Sequence, residues 1–98
     1  MKEGIGKISC FLEQEDILAQ VAEECCELAQ AASKRIRILK RKNLTPISLE
    51  DNYESIQEEI ADVFLSVDVL IRKLEIPMSE VETIRANKLS RWLSRLRL

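Results

Sequence analysis

The placement of helix breakers constrains this chain more than any other feature. Its glycines, Gly4 and Gly6, lie at the start, and its prolines are Pro46 and Pro77, so two long stretches contain no residue that would stop a helix. From about Glu13 to Arg41, the residues Ile17, Val21, Leu28, Ala32 and Leu39 recur at helical spacing, with Cys25 and Ile36 beside them. Asn43, Leu44, Thr45 and Pro46 end this helix. Ser48, followed by Glu50 and Asp51, reads as the N-cap of a second helix that runs to about Glu75. Ser79 and Glu82 form a capping box that opens a third helix, carrying Val81, Ile84, Leu89, Trp92, Leu93 and Leu96. The first dozen residues are open to a short helix or a loose arm.

Helices of nearly thirty residues would each be ~40 Å long at ~1.5 Å per residue, whereas a compact chain of ~100 residues has a radius of gyration of ~13 Å. The expectation is therefore an all-α fold, a long helical hairpin plus a C-terminal helix, forming a four-helix-bundle core on oligomerisation as a homodimer or homotetramer. Residues 1–98 read as one domain, since no internal repeat or low-complexity segment divides them. On the second helix, Ile56, Ile60, Val63, Val67, Leu70 and Leu74 make one apolar stripe, expected to face its own hairpin. Leu65 and Val69 make another, expected to face a partner chain.

Hydrophobic residues make up 46% and charged residues 33% of the chain, a soluble globular composition. A formal charge of −2 argues against a general nucleic-acid coat, although six of the fifteen basic residues lie between Lys34 and Lys42 and five between Arg85 and Arg97. The three cysteines, Cys10, Cys25 and Cys26, lack zinc-ligand spacing, and Cys25 and Cys26 are neighbours that do not bridge easily on a helix. Cys25 and Cys26 are expected only to pack. No apolar signal stretch occupies Met1 to Gly6, and no run approaches the ~20 apolar residues of a membrane span, so the expected setting is reduced and cytoplasmic.

Two acidic turns carry the chemistry. At ~100° per residue Glu24 falls at the edge of the first apolar stripe with Glu27 beside it, and Glu59 borders the main stripe of the second helix with Asp62 near its second patch. Glu23 and Glu58 point outward. Carboxylates three residues apart repel, and partial burial raises the cost, so four together favour a cation. An all-oxygen set suits magnesium or manganese, and a chain without histidine excludes the Glu-x-x-His pattern of di-iron bundles. There is no glycine-rich phosphate loop.

The runs Glu23-Glu24-Cys25-Cys26-Glu27-Leu28 and Glu58-Glu59-Ile60-Ala61-Asp62-Val63 resemble the E-E-x-x-E and E-E-x-x-D signatures of the MazG-like nucleotide pyrophosphohydrolases, over roughly residues 14 to 95. The resemblance implies hydrolysis of a nucleoside triphosphate, a dNTP or a non-canonical NTP, between its α and β phosphates, with magnesium as cofactor. It implies that Glu24, Glu27, Glu59 and Asp62 are the metal ligands and catalytic acids. It also implies phosphate-binding cations in a late helix, matched in kind by Lys88, Arg91 and Arg95 on one face; Lys34 is the best placed of the earlier basic cluster. Trp92 either stacks on a base or joins the core. No residue matches a base-binding position. The competing reading is a non-catalytic helical module for oligomerisation or regulatory binding.

Overall fold

A computed structural model describes residues 1–42 and 47–98, and the connection assigned to Asn43–Pro46 lies outside the described residues. Four helices follow in order: α1 Lys2–Phe11, α2 Gln14–Leu39, α3 Leu49–Leu74 and α4 Met78–Leu96, with no strand among the described residues. The N-terminal dozen residues therefore form a helix. Ser48 caps α3 as its sequence requires, its hydroxyl accepting the Asp51 N–H at 3.0 Å. The capping box at Ser79 and Glu82 does not form. Pro77 occupies the N-cap of α4, and its carbonyl accepts from the Glu80 and Val81 amides at 3.1 and 3.4 Å, which draws Ser79 into the first turn. The helix α3 closes on Glu75 in the left-handed conformation (φ 54°), with the Ile76 N–H donating to the Ile71 carbonyl at 3.0 Å.

The helices α2 and α3 pack antiparallel along their length, and α1 crosses the C-terminal half of α3. The seam follows a four-three spacing on both sides. On α2 the less exposed line is Ile17, Val21, Glu24, Leu28, Ala31, Arg35 and Ile38; on α3 it is Asn52, Ile56, Glu59, Val63, Ser66, Leu70 and Lys73. Ile17, Val21 and Leu28 of the expected α2 stripe and Ile56, Val63 and Leu70 of the expected α3 stripe thus face their own hairpin, and the expectation is corrected at other positions. Ala32, Ile36 and Leu39 of α2 and Ile60 and Leu74 of α3 lie exposed one position further round. Val69 is 5% exposed and lines a cavity with Ile8 of α1 and Leu12, the C-cap of that helix, so its cover comes from the same chain; Leu65 at the cavity rim stays exposed. Cys25 and Cys26 are free and exposed rather than packed, and Cys10 is also free and exposed.

Register is fixed by a polar pair. Asn52, 1% exposed, donates from its side-chain amide to the Ala31 carbonyl at 3.1 Å and accepts from Arg35 at 3.4 Å, tying the far end of the hairpin. At the near end Lys73 donates to the Ser9 carbonyl at 2.9 Å and Arg72 lies over Gly6, which holds α1 on α3. The helix α4 makes no packed interface with the other helices among the described residues, and none of its residues is buried. The radius of gyration is accordingly 16.9 Å, above the ~13 Å of a compact chain of this size. No described helix is long and apolar enough to cross a membrane.

Asn52→Ala should cost about 0.5–1.5 kcal/mol in chemical denaturation, because it removes the bond that ties α3 to the Ala31 carbonyl of α2. A change below about 0.5 kcal/mol, the scale of an ordinary surface substitution, would show that the seam does not depend on this bond.

Candidate functional site

Seven residues, two helical turns, separate Glu24 from Ala31 and Asn52 from Glu59, so the antiparallel pairing that sets Asn52 against Ala31 also sets Glu59 against Glu24. Both glutamates thus sit within the seam rather than at its border. Glu27 and Asp62, one helical turn further along their helices, complete the group. One carboxylate oxygen from each of Glu24, Glu27, Glu59 and Asp62 lies within 4.8 Å of the others. Glu23 and Glu58 are exposed, as their helical positions require.

Packing removes water from part of this cluster without supplying partners. The Oε2 atoms of Glu24 and Glu59 are buried and accept no hydrogen bond among the described residues. Glu24 Oε1 is held by the Gln20 side-chain amide at 2.7 Å, one helical turn earlier. The Glu24 carboxyl is held above the usual carboxylate range, first by burial and then by the charges of Glu27 and Asp62. Glu27 is also raised, first by its hydrogen bond to the Glu59 carboxyl and next by the Glu59 charge and burial. A divalent cation relieves all of these effects at once, and four carboxylate oxygens match the hard-cation donor set. The orphaned oxygens fit such an ion.

The basic residues are placed differently. Lys34 is exposed on α2 two turns beyond Glu27, on the same side of the helix. Lys88, Arg91 and Arg95 are exposed on one side of α4, which does not pack beside the acids of its own chain. Trp92 is 61% exposed on the same helix. Sequence reasoning missed Gln20 and Ser66, which line a cavity beside Glu24 and Asp62. The four-residue spacing of Gln20 from Glu24 is the signal that would have found the first.

The sign of the pH dependence follows from the raised carboxyls. Between the ordinary carboxylate value of ~4.3 and their raised folded-state values, Glu24 and Glu27 in the metal-free protein keep protons that the unfolded chain has released. The penalty therefore grows as pH rises through that window and fades as pH falls towards ~4.3. Glu27→Gln should raise the metal-free Tm by several degrees at pH 7.5, with the gain shrinking towards pH 4.5. A Tm equal to the parent at both pH values would remove the electrostatic strain from this account.

Searches of curated proteins and of solved structures found no match. The family model of the MazG nucleotide pyrophosphohydrolase domain matches residues 12–92, a span that takes in the hairpin, both acidic turns and most of α4. The chain belongs to the MazG nucleotide pyrophosphohydrolase domain family.

Proposed function

We propose that the protein hydrolyses a nucleoside triphosphate, a dNTP or a non-canonical NTP, to the monophosphate and pyrophosphate. The observation that carries this reading is the convergence of four carboxylates from two helices, two with an orphaned buried oxygen, in a chain of this family. Glu24, Glu27, Glu59 and Asp62 would hold magnesium, with manganese acceptable to the same oxygens. Bound there, the ion supplies charge neutralisation to the polyphosphate and a water of lowered pKa. The chain's own groups do the rest. The helices fix the acids in place, a carboxylate of the quartet takes the proton from the attacking water, and the α–β bond breaks with pyrophosphate as leaving group. Lys34, Lys88, Arg91 and Arg95 are the cations for the phosphate oxygens and the charge that builds on the leaving group.

The active form is an oligomer of identical chains. Ile17, Ala31 and Val69 are the only apolar residues buried among the described ones, a core too small for a chain of this length to stand on alone. Next to the seam, on the side of the hairpin away from Glu27 and Asp62, Leu18, Ile36 and Leu39 of α2 and Tyr53, Ile60 and Phe64 of α3 form an exposed apolar face. Two such faces paired make the four-helix bundle, and the apolar side of α4, with Leu89, Trp92 and Leu96, finds cover in the same assembly. A non-catalytic scaffold has no use for unpaired carboxylate oxygens inside its helix seam, since they oppose folding.

Incubation with a panel of nucleoside triphosphates and magnesium should release pyrophosphate, and Asp62→Asn should lower the rate by at least about a hundredfold, beyond the usual effect of altering a ligand's outer partner. Turnover equal to the parent's would remove Asp62 from the site. Phe64→Glu should shift the protein to monomer in sedimentation analysis; an unchanged oligomer would place the interface elsewhere.

A further inference from the structure

A cavity of about 230 Å³ opens beside the acids, between α1, α2 and α3, and Glu24 and Asp62 form part of its wall. The remainder is apolar where α1 meets α3, with Ile8 and Leu12 facing Leu65 and Val69. Gln20 and Ser66 are its uncharged polar groups. At this volume it falls below the ~300 Å³ at which pockets for drug-sized ligands begin, and suits one flat ring system. The metal-ligating oxygens and this slot are continuous, so a ligand with a charged polyphosphate and a flat apolar ring can occupy both.

The hydrogen-bonding state of the wall narrows the choice. Ser66 donates its single hydroxyl hydrogen to the Val63 carbonyl at 3.0 Å, so towards the cavity it offers lone pairs alone. Gln20 donates from its amide nitrogen to Glu24 Oε1 at 2.7 Å; its carbonyl oxygen is left to accept, with one N–H to spare. Acceptors therefore outnumber donors on the wall. A base that carries an exocyclic amino group brings the hydrogens these atoms lack, whereas a keto oxygen in that place meets lone pairs.

Resting on the reading of the site as one for nucleotides, the geometry points to this cavity as the seat of the nucleobase, selective for amino-bearing bases, with Gln20 the residue that couples base recognition to the orientation of Glu24. Because Gln20 fixes one oxygen of Glu24, it also leaves the other directed into the acidic cluster. It is a positioning residue for the metal site and a contact for the base.

The test is equilibrium binding of nucleoside monophosphates to the full chain with magnesium, followed by methyl NMR and calorimetry, which needs no turnover. AMP over IMP and CMP over UMP should each be favoured by about tenfold, with shifts at Ile8, Leu12 and Leu65, and inorganic phosphate should leave those methyls unmoved. Leu65→Trp, which fills the slot, should weaken AMP at least tenfold while the magnesium-induced rise in Tm is retained. Gln20→Ala should erase the amino preference and reduce magnesium affinity. Shifts confined to other helices, equal affinity for AMP and IMP, or undiminished AMP binding to the Trp variant would each overturn the proposal. Should the parent bind AMP in the cavity yet release no pyrophosphate from any triphosphate, the hydrolytic reading fails and the base site stands.

Discussion

The structure turns on two glutamates placed where a helical hairpin ordinarily places leucines. Glu24 and Glu59 occupy facing seam positions of α2 and α3, and each has an oxygen sealed from water without a hydrogen-bond partner among the described residues. An unpaired carboxylate in such a position opposes folding, so its retention needs a compensating charge. Every neighbouring feature makes sense around that conflict. Glu27 and Asp62 bring two further carboxylates within reach, while Gln20 fixes the Glu24 carboxylate from the turn before. The rigid hairpin holds the group together at a length that no loop would hold as well.

The same hairpin leaves much of its apolar surface uncovered. Its seam carries Asn52, Ser66, Arg35 and Lys73 along with the two glutamates, and much of the large apolar surface lies one position round, uncovered. Polar groups in the seam fix register through specific bonds, as the Asn52 amide does with Ala31, but contribute little hydrophobic burial. The acidic cluster and the exposed apolar residues thus lie on different faces of the hairpin, which is the arrangement the proposed oligomer uses. The unpacked α4, basic along one side and apolar along another, belongs to the same division.

Helix identity was legible in the sequence because it depends on local chemistry. The Ser48 cap on Asp51 and the end of α3 near Glu75 were readable from breakers and polar residues alone. The acidic quartet was also readable, since helical projection needs only spacing. The register of the buried stripe was not. Both long helices carry apolar residues on two adjacent lines, and periodicity merged them: Ile17, Val21 and Leu28 of α2 and Ile56, Val63 and Leu70 of α3 do face the hairpin, whereas Ala32, Leu39, Ile60 and Leu74 fall on the exposed line beside it. The start of α4 was misplaced because a proline that forms the cap left the more conspicuous Ser79 inside the helix. Gln20 and Ser66 escaped notice because their importance lies in a cavity created by α1, a helix whose docking through Lys73 and Gly6 has no local signature.

The central claim is that a divalent cation resolves the conflict between Glu24 and Glu59, and calorimetric titration of the metal-free protein with manganese tests it most directly. The parent should bind manganese at the quartet, with magnesium competing for the same site. The Glu24→Gln, Glu59→Gln double variant, shown by circular dichroism to keep its helices, should lose that binding. Undiminished manganese affinity in a folded double variant, or no binding by the parent at millimolar metal, would contradict the account.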